Sequence, residues 1–167
     1  KPGYAVGISS GGGSFDVSAD ETRNIEVQAA QNKGTVSGSV TGMGAALAEG
    51  AAVTLKGTSV ADGQEKTFTG TVTDGGYQVG DVLEGTYGVT LEKSGLTVMV
   101  TGGGMVSVAD GDITNDIEIS VSLNTGTVSG TVKDGGGTPL SGGTVALSGN
   151  STVDGKVRTF SAVTDAD

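Results

Sequence analysis

The chain repeats itself at an offset of 92 residues, and that repeat limits what it can fold into more than any other feature. "GTVSG" stands at 34–38 and again at 126–130. Sliding the sequence by 92 without a gap also aligns Lys1 with Lys93, Gly3 with Gly95, Val6 with Val98, Asn32 with Asn124 and Val40 with Val132. Further on, Val53, Leu55, Gly57, Ser59 and Asp62–Gly63 meet identical residues at 145, 147, 149, 151 and 154–155. "TF" at 67–68 returns at 159–160, and "VTD" at 72–74 returns at 163–165, one residue out of step, the mark of a single deletion. Identity held over this distance predicts tandem units. The expected organisation is the C-terminal part of one repeat at 1–33, a complete repeat at 34–125 and the N-terminal part of a further repeat at 126–167.

Within the complete unit the apolar period is two. Val53 and Leu55 alternate with polar neighbours, as do Tyr77 and Val79, and Tyr87, Val89 and Leu91. Leu96, Val98 and Val100 follow, then Val106 and Val108, then Ile117, Ile119, Val121 and Leu123. Such alternation predicts half-buried, antiparallel strands. Turn signals separate them: "DG" at 62–63, "DGG" at 74–76, "GGG" at 102–104 and "DGD" at 110–112. No segment carries a helical apolar stripe. Seven to nine strands in about 90 residues predict an all-β, two-sheet sandwich of a size that folds without disulfides.

Composition narrows the function classes. The 167 residues carry 9 basic and 19 acidic side chains, a net charge of −10, with no basic cluster to neutralise phosphates or anionic lipid. Nucleic acid and membrane surfaces are therefore not expected partners. Histidine and cysteine are absent, which removes the commonest general base, thiol nucleophiles and the ligands of zinc, haem and iron–sulfur centres. The apolar runs are far short of the ~20 residues that span a bilayer, and "KPGYAVG" at the start has no signal-peptide pattern. Any targeting segment is expected outside this window.

The order of strands and turns resembles the carboxypeptidase-regulatory-like, transthyretin-like group of Ig-like sandwich domains. The residues that carry it are "GTVSGTVKDGGGTPLSGGTVALSG" at 126–149 and "TDGGYQVGDVLEGTYGVTLEKSGL" at 73–96. The likeness covers the front two-thirds of the repeat, and "MGAALAEG" at 43–50 departs from the turn written "GGGTPLSGG" at 135–143. What the resemblance implies is a tandem stalk, spacer or adhesive module of bacterial or archaeal surface proteins, hence an extracellular or cell-surface location. Its implied partners are neighbouring repeats, and a glycan or surface protein is the alternative. The two ends, 126–167 and 1–33, together lack only the equivalent of 76–92, and unpaired strand edges seek partners. The ends are therefore expected to pack against each other within one chain or between chains, the latter head to tail into a filament, or to belong to a longer array. The related B-type domains of collagen-binding adhesins often carry a Lys–Asn isopeptide bond, but "GTVSGSVT" at 34–41 offers no Lys, and Lys56 becomes Ser148 in the next unit.

Among chemical candidates, "SSGGGSF" at 9–15 lacks the Lys of a phosphate-binding loop and reads as a turn matched by "TGGGMVS" at 101–107. Asp110 and Asp112, with Asn115 and Asp116 nearby, form the best calcium candidate, because calcium takes carboxylate and carbonyl oxygens in loops. The matching stretch around Asp20 lacks most of those carboxylates, so solvated turns are the preferred reading and no cofactor is expected. Tyr4, Tyr77 and Tyr87 suggest a sugar-stacking platform, yet their alternation with polar residues places them in a core. No catalytic constellation emerges, and the chain is expected not to be an enzyme.

Overall fold

Alternating apolar and polar residues become strand wherever two such segments can pair, and where partners are missing, as at 124–143, the same pattern forms no strand. The protein, a computed structural model, is described over residues 1–10, 14, 16–114 and 117–165. Its strands are β1 (Tyr4–Ser10), β2 (Glu26–Gln31), β3 (Lys33–Thr41), β4 (Ala52–Ser59), β5 (Glu65–Thr71), β6 (Gly76–Leu83) and β7 (Gly85–Leu91). Then come β8 (Leu96–Val100), β9 (Met105–Val108), β10 (Ile113–Thr114), β11 (Ile119–Leu123), β12 (Thr144–Asn150) and β13 (Val157–Val163). Short 3-10 turns occupy Ala45–Leu47 and Thr101–Gly104. The chain is all-β with several sheets.

Two sheets build the central unit. One has the order β5-β4-β7-β9, antiparallel throughout. In the other, β3 lies between β6 on one edge and β10 and β11 on the opposite edge, and β8 closes the far side of β11. The pairings of β3 with β10 and β11 are parallel, whereas the alternation had suggested antiparallel neighbours. Alternation fixes which face a side chain takes; it says nothing about the direction of the neighbouring strand. Val53 and Leu55 on β4, Tyr87, Val89 and Leu91 on β7, and Val106 and Val108 on β9 are buried. They join Val36, Val40, Val79, Ile119 and Val121 of the other sheet in one apolar cluster. The result is sandwich-like. The chain passes from β5 to β6 through Asp74–Gly75, whose φ values of 51° and 73° give the two-residue turn that "DG" favours. Thr73 and Gly76 exchange backbone hydrogen bonds of 2.8 and 3.0 Å across it.

Two further hairpins flank the central unit, β1 with β2 and β12 with β13. Their registers coincide with pairs inside it at the offset of 92. Tyr4 faces Gln31 and Val6 faces Ala29, as Leu96 faces Leu123 and Val98 faces Val121. Leu147 faces Phe160 and Gly149 faces Arg158, as Leu55 faces Phe68 and Gly57 faces Lys66. Asn32 and Asn124 each donate a backbone N–H to the carbonyl of Gly3 and Gly95, both at 2.9 Å. The shift of "VTD" in the letters is not a shift in the backbone. Thr164 N–H donates to Gly143 as Val72 N–H does to Ala51, so the spacing of 92 persists and Thr164 takes the place of Val72. The cause is the turn at Ser151–Lys156, which closes with the same bonds as the one at Ser59–Gln64 and so fixes the hairpin register.

Among the described residues, β1 and β2 pair only with each other, and so do β12 and β13; neither hairpin adds to the other. Of the packing arrangements expected for the two ends, pairing between them within one chain is therefore not the one adopted. Their apolar residues Val6, Ile8, Val27, Leu147 and Phe160 are exposed, while the residues 92 positions away (Val98, Val100, Ile119, Leu55 and Phe68) lie in or against the core.

Candidate functional site

Asp110 and Asp112 sit in the tight turn from β9 to β10, where the chain must reverse and leave backbone donors to satisfy. Asp110 Oδ1 accepts the backbone N–H of Lys33 at 3.3 Å, and Asp112 Oδ2 accepts that of Ala109 at 2.9 Å. Gly111 N–H donates to the Lys33 carbonyl at 2.8 Å, and Thr35 N–H to the Asp112 carbonyl at the same distance. The turn thus clamps the start of β3. A shallow cleft beside it is lined by Lys33, Asp81, Gly111 and Asp112, and Lys33 Nζ lies 3.1 Å from Asp81 Oδ1. The cation beside these acids is a lysine ammonium. Asp116, the third calcium candidate, falls outside the described residues. Among the described residues no three His, Cys, Asp or Glu side chains converge on a point.

These carboxylates serve the turn, so calcium should add little. The melting temperature of the chain is expected to differ by no more than a few degrees between EDTA and millimolar calcium. A rise of about ten degrees, beyond a ~1 kcal/mol effect in a unit this small, would show that Asp110 and Asp112 hold the ion.

The tyrosines do not form a platform. Tyr77 and Tyr87 are buried in the core, and only Tyr4 is partly open, with the Lys1 ammonium 4.6 Å from its ring centroid. Tyr77 Oη donates to the Ile117 carbonyl at 2.9 Å, and Tyr87 Oη to that of Leu83 at 2.8 Å. Burial disfavours a phenolate in either place. It raises Tyr77 from 10.0 to about 12, and it raises Tyr87, with the Asp62 charge adding to the same effect. The neutral phenols therefore support the fold fully below pH 10, where an unfolded tyrosine begins to ionise, and that support is lost as the pH climbs towards the folded value. In an alkaline titration, the phenolate absorbance of these two residues should rise together with loss of the sheet signal in circular dichroism. Ionisation of all three tyrosines with the sheet signal intact would contradict their burial.

The remaining candidates resolve as turns and surface. The "GGG" at 102–104 joins β8 to β9 with φ between 68° and 75°, a strand-to-strand connection with no helix to follow. Its partner "SSGGGSF" lies largely outside the described residues. Lys56 faces solvent, 3.1 Å from Glu65, and Asn124 Oδ1 accepts Thr97 Oγ1 at 2.6 Å, so neither enters a shared core as an isopeptide bond requires.

One cluster was not singled out by its residue types. Asn32 is the only residue between β2 and β3. Its carbonyl accepts Glu84 N–H at 3.0 Å, and its Nδ2 donates to Glu84 Oε2 at 2.7 Å. The visible signal was the recurrence of Asn at 32 and 124, which marks a repeated position without naming its distant partner. No protein-family model, curated protein or solved structure matches this chain.

Proposed function

We propose that the chain is part of a tandem array of sandwich modules, about 92 residues each, serving as a non-catalytic spacer or stalk in an extracellular surface or fibre-forming protein. The observation that carries this reading is the recurrence of register: β1 with β2 repeats β8 with β11, and β12 with β13 repeats β4 with β5, pair for pair at the offset of 92. A module that buries its own core can be added in series without new folding problems, so length grows by repetition. The net charge of −10 keeps such an array soluble and resists collapse. The likeness to carboxypeptidase-regulatory-like, transthyretin-like domains rests on the turn and strand motifs quoted above, and it adds the surface location and the adhesive variant of the role.

A glycan array, together with a panel of extracellular-matrix proteins, tests the reading. The spacer predicts no saturable binding. A saturable glycan or protein hit that is lost on substitution of loop residues would replace it with a binding module, in which tandem copies supply avidity.

A further inference from the structure

The same contact joins the central unit to the hairpin before it and to the hairpin after it. On the receiving side is a four-residue turn, Lys1–Tyr4 in one case and Lys93–Leu96 in the other, each closed by an N–H to carbonyl bond of 3.2 Å. Its glycine, Gly3 or Gly95, has φ of 75° or 80°. On the docking side is the β-hairpin turn 59–64 or 151–156. The two docking turns share their internal bonds: Ser59 Oγ accepts Ala61 N–H at 3.2 Å and Ser151 Oγ accepts Val153 N–H at 3.3 Å. The carboxylate of each turn pairs with a cation four residues on, Asp62 with Lys66 and Asp154 with Arg158, both at 2.7 Å. Both carboxyls are held below their ordinary range, Asp62 chiefly by the Lys66 hydrogen bond and Asp154 chiefly by the backbone N–H of Lys156.

The fit leaves no room for a side chain. A Cβ on Gly3 would lie 2.6 Å from Cα and N of Ala61, and one on Gly95 would run into Val153 Cγ2. Gly3 and Ala61 are buried, and Val153 packs against the core cluster of the central unit. At the first joint Asn32 alone separates β2 from β3, and both its backbone groups and its amide nitrogen are bonded, backward to Gly3 and forward to Glu84. Linked domains move relative to each other by default when a flexible linker and a small polar interface join them. At this first joint there is no linker to flex, whereas at the second residues 124–143 between β11 and β12 carry no strand.

We propose that this contact is a fixed inter-module joint, and that its partner is the next copy of the same module. An array built on it is a stiff rod with a constant angle per step. The proposal rests on the tandem-array reading and adds to it the geometry of the step. Because the chain has no cysteine, two engineered cysteines can be spin-labelled cleanly in the full 167-residue protein. Gln28→Cys on exposed β2 and Thr90→Cys at an outward-facing position of β7 report across the first joint. Pulsed dipolar spectroscopy should give one narrow distance distribution. Ala61→Arg, which forces a long side chain against Gly3, and Asn32→Ala, which removes the amide bond to Glu84, should each broaden it by about twofold or more, as expected when a docked pair is released to the default mobility of linked domains. Met43→Ala, an exposed position just past the end of β3 opposite to Asn32, should leave it narrow. Near-ultraviolet circular dichroism reports whether the central core survives, and if Ala61→Arg disturbs it, Asn32→Ala decides. A wild-type distribution as broad as the variants', or variants as narrow as the wild type, would overturn the stiff joint. Glycan binding with a narrow distribution would instead remove the spacer role and leave the joint standing.

Discussion

Val89→Asp is expected to unfold the central unit, while Thr90→Asp, one residue on, is tolerated. Val89 is 3% exposed on β7, the strand held between β4 and β9, and it sits opposite the fully buried Leu55. A carboxylate placed there loses its hydration and finds no cation, since its neighbours are Val, Leu and Tyr side chains. The penalty is several kcal/mol, comparable with the whole stability of a small domain. Thr90 points outward, so an aspartate at that site keeps its water. Urea unfolding followed by circular dichroism would show Val89→Asp without a cooperative transition in buffer and Thr90→Asp with a midpoint near that of the wild type. Equal loss in both would mean that the inward face of β7 has been assigned to the wrong residues.

Tyr87→Ala should cost about 3–5 kcal/mol, as large aromatic truncations in closed cores do. The ring is fully buried, meets Phe68 edge-on with centroids 5.6 Å apart, and ties its hydroxyl to Leu83. Tyr87→Phe separates packing from hydrogen bonding. It keeps the ring and leaves the Leu83 carbonyl without that donor, a loss of about 1–2 kcal/mol. The two variants should therefore differ by at least twofold in their effect on unfolding free energy, measured in the same denaturant series. Comparable losses would place the stabilisation in the hydroxyl rather than in the ring.

These two positions also show what was legible in the sequence. Tyr87, Val89 and Leu91 alternate with Gly88 and Thr90, and the backbone places them inward as the period of two requires. The Asp74–Gly75 turn was legible for a similar reason, because its two positive φ angles demand residues of that kind. Partner direction was not legible. Nothing in "GTVSGSV" indicates that β3 runs parallel to β10 and β11, since long-range pairing is settled by the rest of the sheet. The turn at 110–112 was found as an acidic cluster, and its bonds to Lys33 and Thr35 depend on residues 75 or more positions away. The contact of Asn32 with Glu84 was hidden for the same reason, and so was the approach of Gly3 to Ala61. The repeat did carry one tertiary fact: identical letters at an offset of 92 foretold hairpins of the same register, even where a local run of letters slipped by one.

The central claim, that the flanking hairpins are parts of modules like the central one, is tested most directly by nuclear Overhauser effects between strands in the intact chain. The account predicts cross-strand contacts from Val6 to Ala29 that reappear from Val98 to Val121, and contacts from Leu147 to Phe160 that reappear from Leu55 to Phe68. A different register in either flanking hairpin, or no cross-strand contacts there at all, would contradict it.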